Sequence, residues 1–259
     1  GENMDIVFGT QPLDSESESA VKANVLKLLK DKYDIEEDDF WSAEIEAVPA
    51  GRAREAGLDR SLILGYGHDD RSCAYTSAVA LFEVENPKTT TCGLFVDKEE
   101  IGSYGATGMQ SHFFEDIVRE LLDRLGIYTE LNAARVLRNS RMLSSDVSAT
   151  YDPMYADKFS KRNAALFGRG KGGSNDANAE YLGKLRAIMH KHNVMFQSAE
   201  LGKVDVGGGG TIAYILALYG MEVVDSGIAV LNMHAPYEAV SKSDVYEAYK
   251  GYKAFIIEA

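Results

Sequence analysis

From about Ser61 onward, short apolar runs alternate with segments that have the apolar periodicity of amphipathic helices. Apolar runs separated by helices are typical of βαβ units, in which successive strands lie parallel in one sheet. The pattern therefore predicts an α/β fold with a mostly parallel sheet flanked by helices. The predicted strands are SLILGYG, TTTCGLFVD, RMLSSD, VMFQSAE and SGIAVLNMH. The predicted helices are SCAYTSAVALFEV, SHFFEDIVRELLDRLG, NAEYLGKLRAIMHKHN, GTIAYILALYG and SDVYEAYKGYKAFII.

Residues 1–48 do not follow this alternation. A short apolar run, MDIVFG, predicts a strand and is followed by a helical pattern, and the acidic stretch EEDDFW comes after it. The helical pattern places Val21, Val25, Leu28 and Leu29 on one face. The change of pattern predicts a domain boundary after residue 48, with a small unit over 1–48 and the α/β unit over 49–259.

The charge and the cysteine content narrow the classes of function. The chain has 27 Lys and Arg against 40 Asp and Glu, which gives a net charge of −13, whereas nucleic-acid-binding domains usually carry a basic patch. No apolar segment approaches the roughly 20 residues needed to span a bilayer. Cys73 and Cys92 provide neither a disulfide framework nor a metal-ligand spacing. We therefore expect a cytoplasmic protein with no nucleic-acid partner and no membrane partner.

Acidic and histidine side chains follow four of the predicted strands at the point where each strand ends. These residues are Asp69 and Asp70, then Asp97, Glu99 and Glu100, then Asp146, and finally His234. Because binding sites of parallel α/β sheets gather beyond the carboxyl ends of the strands, we expect these side chains to meet in one crevice. Carboxylate oxygens combined with an imidazole suit zinc, cobalt or manganese. The sequence therefore predicts a divalent-metal site.

The adjacent glutamates Glu99 and Glu100 carry like charges that repel each other unless their roles differ. Neighbouring residues at the end of a strand point in different directions, so one carboxylate can bind metal while the other stays free. A metal lowers the pKa of its bound water, and a free carboxylate then accepts the proton. The pair thus predicts one ligand and one general base.

The ordered set GHDDR, VDKEEIGS, SSDVSATYDPMY and NMHAPYE resembles the aspartyl aminopeptidase and vacuolar aminopeptidase I family of metallopeptidases. The resemblance implies an α/β catalytic domain with an inserted dimerisation domain, two divalent ions of the zinc type, and assembly into homo-oligomeric dodecamers. It also implies removal of single N-terminal residues from peptides that have a free N-terminus. By this resemblance, 1–48 is the tail of the inserted domain. Residues 49–259 are then the catalytic domain without its first segment, because the family's early His-x-Asp motif has no counterpart here.

The resemblance also implies a role for each residue of the constellation. Asp69 would bridge the two metals, and Asp70 would support it. Glu100 and His234 would complete the ligands of one metal, and Asp146 would bind the other. Glu99 would be the general base.

Two further segments resemble the family's substrate pocket. Gly209, Gly210 and Thr211 lie in VDVGGGGTIAYIL, which is similar to a pocket-lining Gly-Thr-Thr-Ile segment. Arg169 in LFGRGKGG either replaces a pocket lysine or is a solvated loop cation. Ala149 and Asp152 stand where relatives carry histidines, so the resemblance does not fix the preferred N-terminal residue.

Two alternatives remain open from the sequence. The related tetrahedral aminopeptidases of the glutamyl type use a similar order of ligands. A truncated subunit that assembles without hydrolysing peptides would also fit, because the expected early histidine ligand is missing.

Overall fold

The computed structural model describes residues 6–14, 18–172, 178–200, 202–203, 206 and 212–258. The chain divides into two compact units, Gly1–Val48 and Pro49–Ala259. Within the described residues, none of the helices combines the length and apolar character needed to cross a bilayer.

Among its described residues, the first unit contains one α-helix, α1 (Ala20–Tyr33), and one 3-10 helix, Glu37–Ser42. Helix α1 confirms the helical pattern, and it ends where Asp34 adopts a left-handed φ of 58°. The strand predicted from MDIVFG is wrong for its described part, because residues 6–9 form no strand. An apolar run of this length cannot form a ladder without a partner strand, and no described segment of this unit provides one.

The second unit contains two sheets, six α-helices and two short 3-10 helices among its described residues. The strands are β1 (Arg54–Ala56), β2 (Leu62–Gly65), β3 (Arg141–Ser144), β4 (Ser148–Ala149), β5 (Glu222–Asp225), β6 (Ala229–Leu231) and β7 (Glu238–Ser241). The helices are α2 (His68–Glu83), α3 (Phe113–Arg124), α4 (Glu130–Asn139), α5 (Ala179–Lys191), α6 (Ala213–Ala217) and α7 (Lys242–Glu258). Helices packed on sheets confirm the α/β class.

The prediction of a mostly parallel sheet is wrong. The larger sheet has the order β1-β2-β7-β6-β4, and only its β4–β6 pairing is parallel. The smaller sheet pairs β3 with β5 in parallel. The physical reason lies in the connections, since a few residues can reverse the chain but cannot carry it back to start a parallel strand. The segments 57–61 and 232–237 are short connections of this kind, so β1–β2 and β6–β7 are antiparallel.

Two predicted strands are absent from the described ladders. The segment TTTCGLFVD forms no strand, and VMFQSAE contributes only an isolated bridge between Phe196 and Lys171. Conversely, α4 was not predicted, although Thr129 caps it by accepting a hydrogen bond from the Asn132 N–H at 3.0 Å.

The main core lies between the larger sheet and the packed helices α2 and α7. Its fully buried members include Cys73 and Ala80 from α2, Val240 from β7, and Ala248 and Tyr252 from α7. Cys73 follows Asp69 and Asp70 in α2 and belongs to this core. The Asp69 N–H also donates a hydrogen bond to Glu238 of β7, so the segment that carries Asp69 and Asp70 is held next to the core.

Candidate metal centre

Asp69 and Asp70 lie in the first turn of α2, directly after β2. Neither residue has helical backbone angles, with φ −82° and ψ 106° at Asp69 and φ −118° and ψ 27° at Asp70, and the peptide between them is cis. The helical pattern of α2 therefore begins only after these two residues. The Asp69 side chain is only 8% exposed.

His234 lies in the connection between β6 and β7 with a left-handed φ of 64°. Its Nε2 is 2.9 Å from Asp69 Oδ2 and 3.1 Å from Glu100 Oε1. The ligand atoms of Asp69, Glu100 and His234 all lie within 4.8 Å of one another. One imidazole and two carboxylates at this spacing can share a single cation.

Glu99 and Glu100 lie in a 3-10 turn, Glu99–Ile101, rather than at the end of a ladder strand. Left-handed residues flank the turn, with φ 64° at Lys98 and φ 92° at Gly102. The turn is closed by hydrogen bonds from the Gly102 N–H to the Glu99 carbonyl at 2.9 Å and from the Ser103 N–H to the Lys98 carbonyl at 2.7 Å. These backbone bonds fix the conformation of the turn that carries both glutamates.

Asp146 follows β3 and forms a second group with Asp69 and Asp70, whose ligand atoms also lie within 4.8 Å of one another. Gly227 packs against the Asp146 backbone so closely that a Cβ there would lie 1.5 Å from the Asp146 carbonyl oxygen. Only glycine fits at that position. Asp69 is therefore common to two groups, one with Glu100 and His234 and the other with Asp70 and Asp146.

Crowding of carboxylates changes their proton affinity. Burial, followed by the charges of Glu100 and Asp146, raises the pKa of Asp69 to about 7. Burial, followed by the charge of Asp146, raises the pKa of Asp70 to about 9. Burial, followed by the charge of Glu99, raises the pKa of Asp146 to about 7. The pKa of Glu99 is also raised, first by burial and then by Glu100. Without a cation, burial and like charges therefore favour the protonated carboxyls, and a cation bound among them would favour their ionised forms.

The donor set fits a divalent metal ion. Asp70 Oδ1 is buried and accepts no hydrogen bond from the described residues, and a buried polar atom without a partner is costly. A cation among these carboxylates would satisfy that oxygen and offset the repulsion. Because the donors are oxygens and one imidazole nitrogen, zinc, cobalt and manganese suit the group better than thiolate-preferring metals.

Asp225 is an acidic neighbour that the sequence analysis missed. It is buried at the end of β5, and its charge contributes to the raised pKa of both Glu99 and Asp146. The sequence did contain a signal for Asp225, because this residue ends the mostly apolar run MEVVD. The other acidic residues follow apolar runs in the same way. It was overlooked because β5 itself was not predicted.

No described contact joins the predicted substrate-binding residues to the acidic groups. Arg169 is exposed, and within the described chain it forms no ion pair with these carboxylates. Gly209, Gly210 and Thr211 lie outside the described residues. Asp152 caps the 3-10 helix Pro153–Lys158 by accepting a hydrogen bond from the Met154 N–H at 2.8 Å.

The raised pKa values predict that the metal-free chain becomes less stable as the pH rises from about 5 to about 8. In this window the folded chain holds protons on Asp69, Asp70 and Asp146 that the unfolded chain has released, so the stability they contribute at low pH is lost as their folded pKa values are passed. The raised pKa of His234 acts in the same direction. Thermal unfolding in a chelator should therefore shift to lower temperature with rising pH. Zinc should remove the decline, and an equal decline with zinc present would contradict a cation at these carboxylates.

Comparison with known proteins gives a consistent result along the whole chain. The family described as "Aminopeptidase I zinc metalloprotease (M18)" matches residues 3–256. A protein of Clostridium acetobutylicum named "Probable M18 family aminopeptidase 1" is 55% identical over 268 residues, which cover 99% of this chain and 58% of that protein. The chain thus spans less than two thirds of the length of this relative.

Solved structures agree with the sequence comparison. The crystal structure of aminopeptidase I from Clostridium acetobutylicum matches with a TM-score of 0.88 and 54% identity, covering 97% of this chain and 57% of that one. The crystal structure of an M18 family aminopeptidase from Thermotoga maritima matches with a TM-score of 0.92 and 43% identity, covering 97% of this chain and 58% of that one. The chain therefore belongs to the family of aminopeptidase I zinc metalloproteases, M18, as the motifs with Asp69, Glu100, Asp146 and His234 predicted.

Proposed function

We propose that this chain carries the metal centre of an aminopeptidase that hydrolyses the N-terminal residue of peptides. The observation that carries the proposal is that Asp69 belongs to both groups of potential ligands. A carboxylate has two oxygens, and one oxygen can serve each of two ions. Membership of a metalloprotease family supports the same chemistry.

In this proposal, two divalent ions of the zinc type would be held by the two groups that share Asp69. Glu100 and His234 would provide the other protein ligands of one ion, and Asp146, with Asp70 beside it, would serve the other. When bound, such ions lower the pKa of a water molecule and polarise the carbonyl of the scissile peptide bond. The residues of the chain hold the reacting groups in place and move the protons.

Glu99 is proposed as the general base. Its carboxylate lies beside Asp69 and Glu100, is partly buried, and belongs to neither group of potential ligands. Its raised pKa suits a group that must accept a proton from the attacking water and then pass it to the leaving amine. Its adjacency to Glu100 in one 3-10 turn supports the division of roles between the two glutamates.

The remaining assignments rest on the family resemblance. We propose that Arg169 and the segment with Gly209, Gly210 and Thr211 line the substrate pocket, and that residues 1–48 are the tail of an inserted dimerisation domain. We also propose a cytoplasmic homo-oligomer, a dodecamer by resemblance, that acts on peptides with a free N-terminus. The family match does not favour the glutamyl-type alternative or a subunit without activity.

The proposal is tested by assaying the full-length protein after metal removal and reloading with zinc, cobalt or manganese. We expect release of the first residue from a peptide with a free α-amino group, followed by mass spectrometry, and no release from the same peptide acetylated at its N-terminus. Activity should disappear in a chelator and return with metal. Cleavage of the acetylated peptide, or undiminished turnover in the chelator, would refute the proposed activity.

A further inference from the structure

Glu238 is a buried glutamate that has no role in the chemistry described so far. It begins β7 and is only 2% exposed, although it carries a carboxylate. We propose that Glu238 is a positioning residue that sets the spacing of Asp69 and His234 by holding their backbones. The inference rests on the proposed metal centre, and it adds to that centre a residue that touches no ion.

Each oxygen of Glu238 accepts one backbone hydrogen bond. Oε2 accepts from the Asp69 N–H at 2.9 Å, and Oε1 accepts from the His234 N–H at 2.7 Å. Hydrogen bonds to an ionised acceptor are among the stronger ones in proteins. One carboxylate therefore joins two segments of chain, and each segment carries a proposed ligand.

The segment that carries His234 needs such support because its backbone is strained. His234 has a left-handed φ of 64°, a conformation that costs free energy in residues other than glycine and persists only where surrounding contacts hold it. Asp69 is extended inside the first turn of α2, so its N–H is turned out of the helical pattern and is held by Glu238 instead. Without the two hydrogen bonds, the 2.9 Å approach of His234 Nε2 to Asp69 Oδ2 would lose a backbone restraint on both sides.

The pairing of β2 with β7 places Glu238 between the segments that carry Asp69 and His234. Glu238 pairs with Gly65 in the antiparallel ladder of β2 and β7, and Gly65 is the last residue of β2 before the segment that carries Asp69. Glu238 also follows, in the sequence, the turn that carries His234. The ladder thus fixes one carboxylate between the end of β2 and the β6–β7 connection, within reach of both N–H groups.

A carboxylate can accept a backbone hydrogen bond at each of its two oxygens. Its two oxygens only accept hydrogen bonds, whereas an amide offers one accepting oxygen and an NH₂ group that donates. In Glu238→Gln, one backbone N–H would therefore face another donor. The variant keeps the size of the side chain and releases one of the two ligand segments.

The chain offers a matched control in Asp244, which is fully buried at the start of α7. Its two oxygens accept from the N–H groups of Gly168 and Gly170, each at 2.8 Å. Asp244→Asn therefore breaks the same kind of carboxylate bridge, but at a segment that holds no proposed ligand. Comparing the two variants separates loss of a buried bridge from loss of ligand spacing.

The experiment measures zinc affinity in the same full-length protein by competition with a coloured chelator, together with the absorption spectrum of bound Co²⁺. We expect Glu238→Gln to lower zinc affinity by about 10- to 100-fold, as for loss of outer contacts around other metal sites, and to change the Co²⁺ bands. Asp244→Asn should leave affinity and bands unchanged, although both variants unfold at lower temperature. Glu238→Asp keeps two accepting oxygens on a shorter side chain, and its affinity should fall between those of the chain itself and Glu238→Gln.

The outcomes are distinguishable. If the chain binds zinc and Glu238→Gln binds it equally well, or if Asp244→Asn weakens binding as much, the positioning role is refuted and the metal centre stands. If Glu238→Gln does not fold, unaltered zinc affinity and Co²⁺ bands in Glu238→Asp would refute the role. If the unaltered chain binds no zinc, the proposed function falls together with this inference.

Discussion

Replacing Glu99 with glutamine should abolish peptide hydrolysis in the full-length protein and leave its metal content nearly unchanged. The amide keeps the shape of the side chain but cannot accept a proton from the attacking water. Loss of a positioned general base costs about 10²-fold or more in rate. The partly buried position of Glu99, beside both ligand groups but in neither, is the reason to expect metal retention. Turnover number and elemental analysis of the same preparation measure the two effects.

The neighbouring residue provides the control. Glu100→Gln alters an equivalent carboxylate in the same 3-10 turn, but Glu100 Oε1 lies 3.1 Å from His234 Nε2 in the first ligand group. We expect this variant to lose metal together with activity. If Glu99→Gln loses metal and Glu100→Gln retains it, the roles of the pair are reversed.

Replacing Asp69 with alanine should remove metal from both groups and abolish activity. Asp69 belongs to each group, so no other single substitution in them affects both sites directly. The loss of zinc affinity should exceed the roughly 10- to 100-fold expected for an outer contact, because a ligand atom disappears. Competition with a chelator and a peptide assay measure the change.

The same variant should not be less stable than the unaltered protein when both are stripped of metal near neutral pH. Burial and the charges of Glu100 and Asp146 raise the pKa of Asp69, which means that its ionised form is unfavourable in the fold. Thermal unfolding in a chelator tests this expectation. As a control, Asp157→Ala removes an exposed carboxylate that pairs with Lys158, and it should not change zinc affinity. A large drop in the unfolding temperature of Asp69→Ala would mean that Asp69 stabilises the fold rather than serving to bind a cation.

The sequence was sufficient for the longer helices and for the α/β class. Helices such as α2, α3, α5 and α7 have regular apolar patterns over three or more turns, and each was predicted close to its observed place. Strand direction was not predictable from such patterns, because parallel and antiparallel strands can carry the same apolar run. Direction follows from connection length, and the connection 232–237 could be recognised only once β7 was known. The sequence of β7, EAVS, begins with a glutamate and gives no strand signal.

The candidate site was predictable residue by residue where an acidic side chain or a histidine follows a strong apolar run. Asp69, Asp146 and His234 all follow β strands of the structure. Glu99 and Glu100 were also predicted from a strand end, but the segment before them forms no described strand. A 3-10 turn positions them instead. Glu238 could not be found in this way, because its role depends on two backbone N–H groups whose positions only the fold defines.

The contact between Glu238 and Asp69 joins residues 169 positions apart, and this has a consequence for the order of events during synthesis. While a ribosome is still adding residues before His234, the nascent chain already presents Asp69, Asp70, Glu100 and Asp146 but holds no imidazole against them. Closing so long a loop costs chain entropy that only the assembled sheet and α7 can offset. In the proposed metal centre, zinc capture at the His234 group would therefore follow translation of His234 and β7. An ion that binds only this assembled site would then oppose unfolding by mass action.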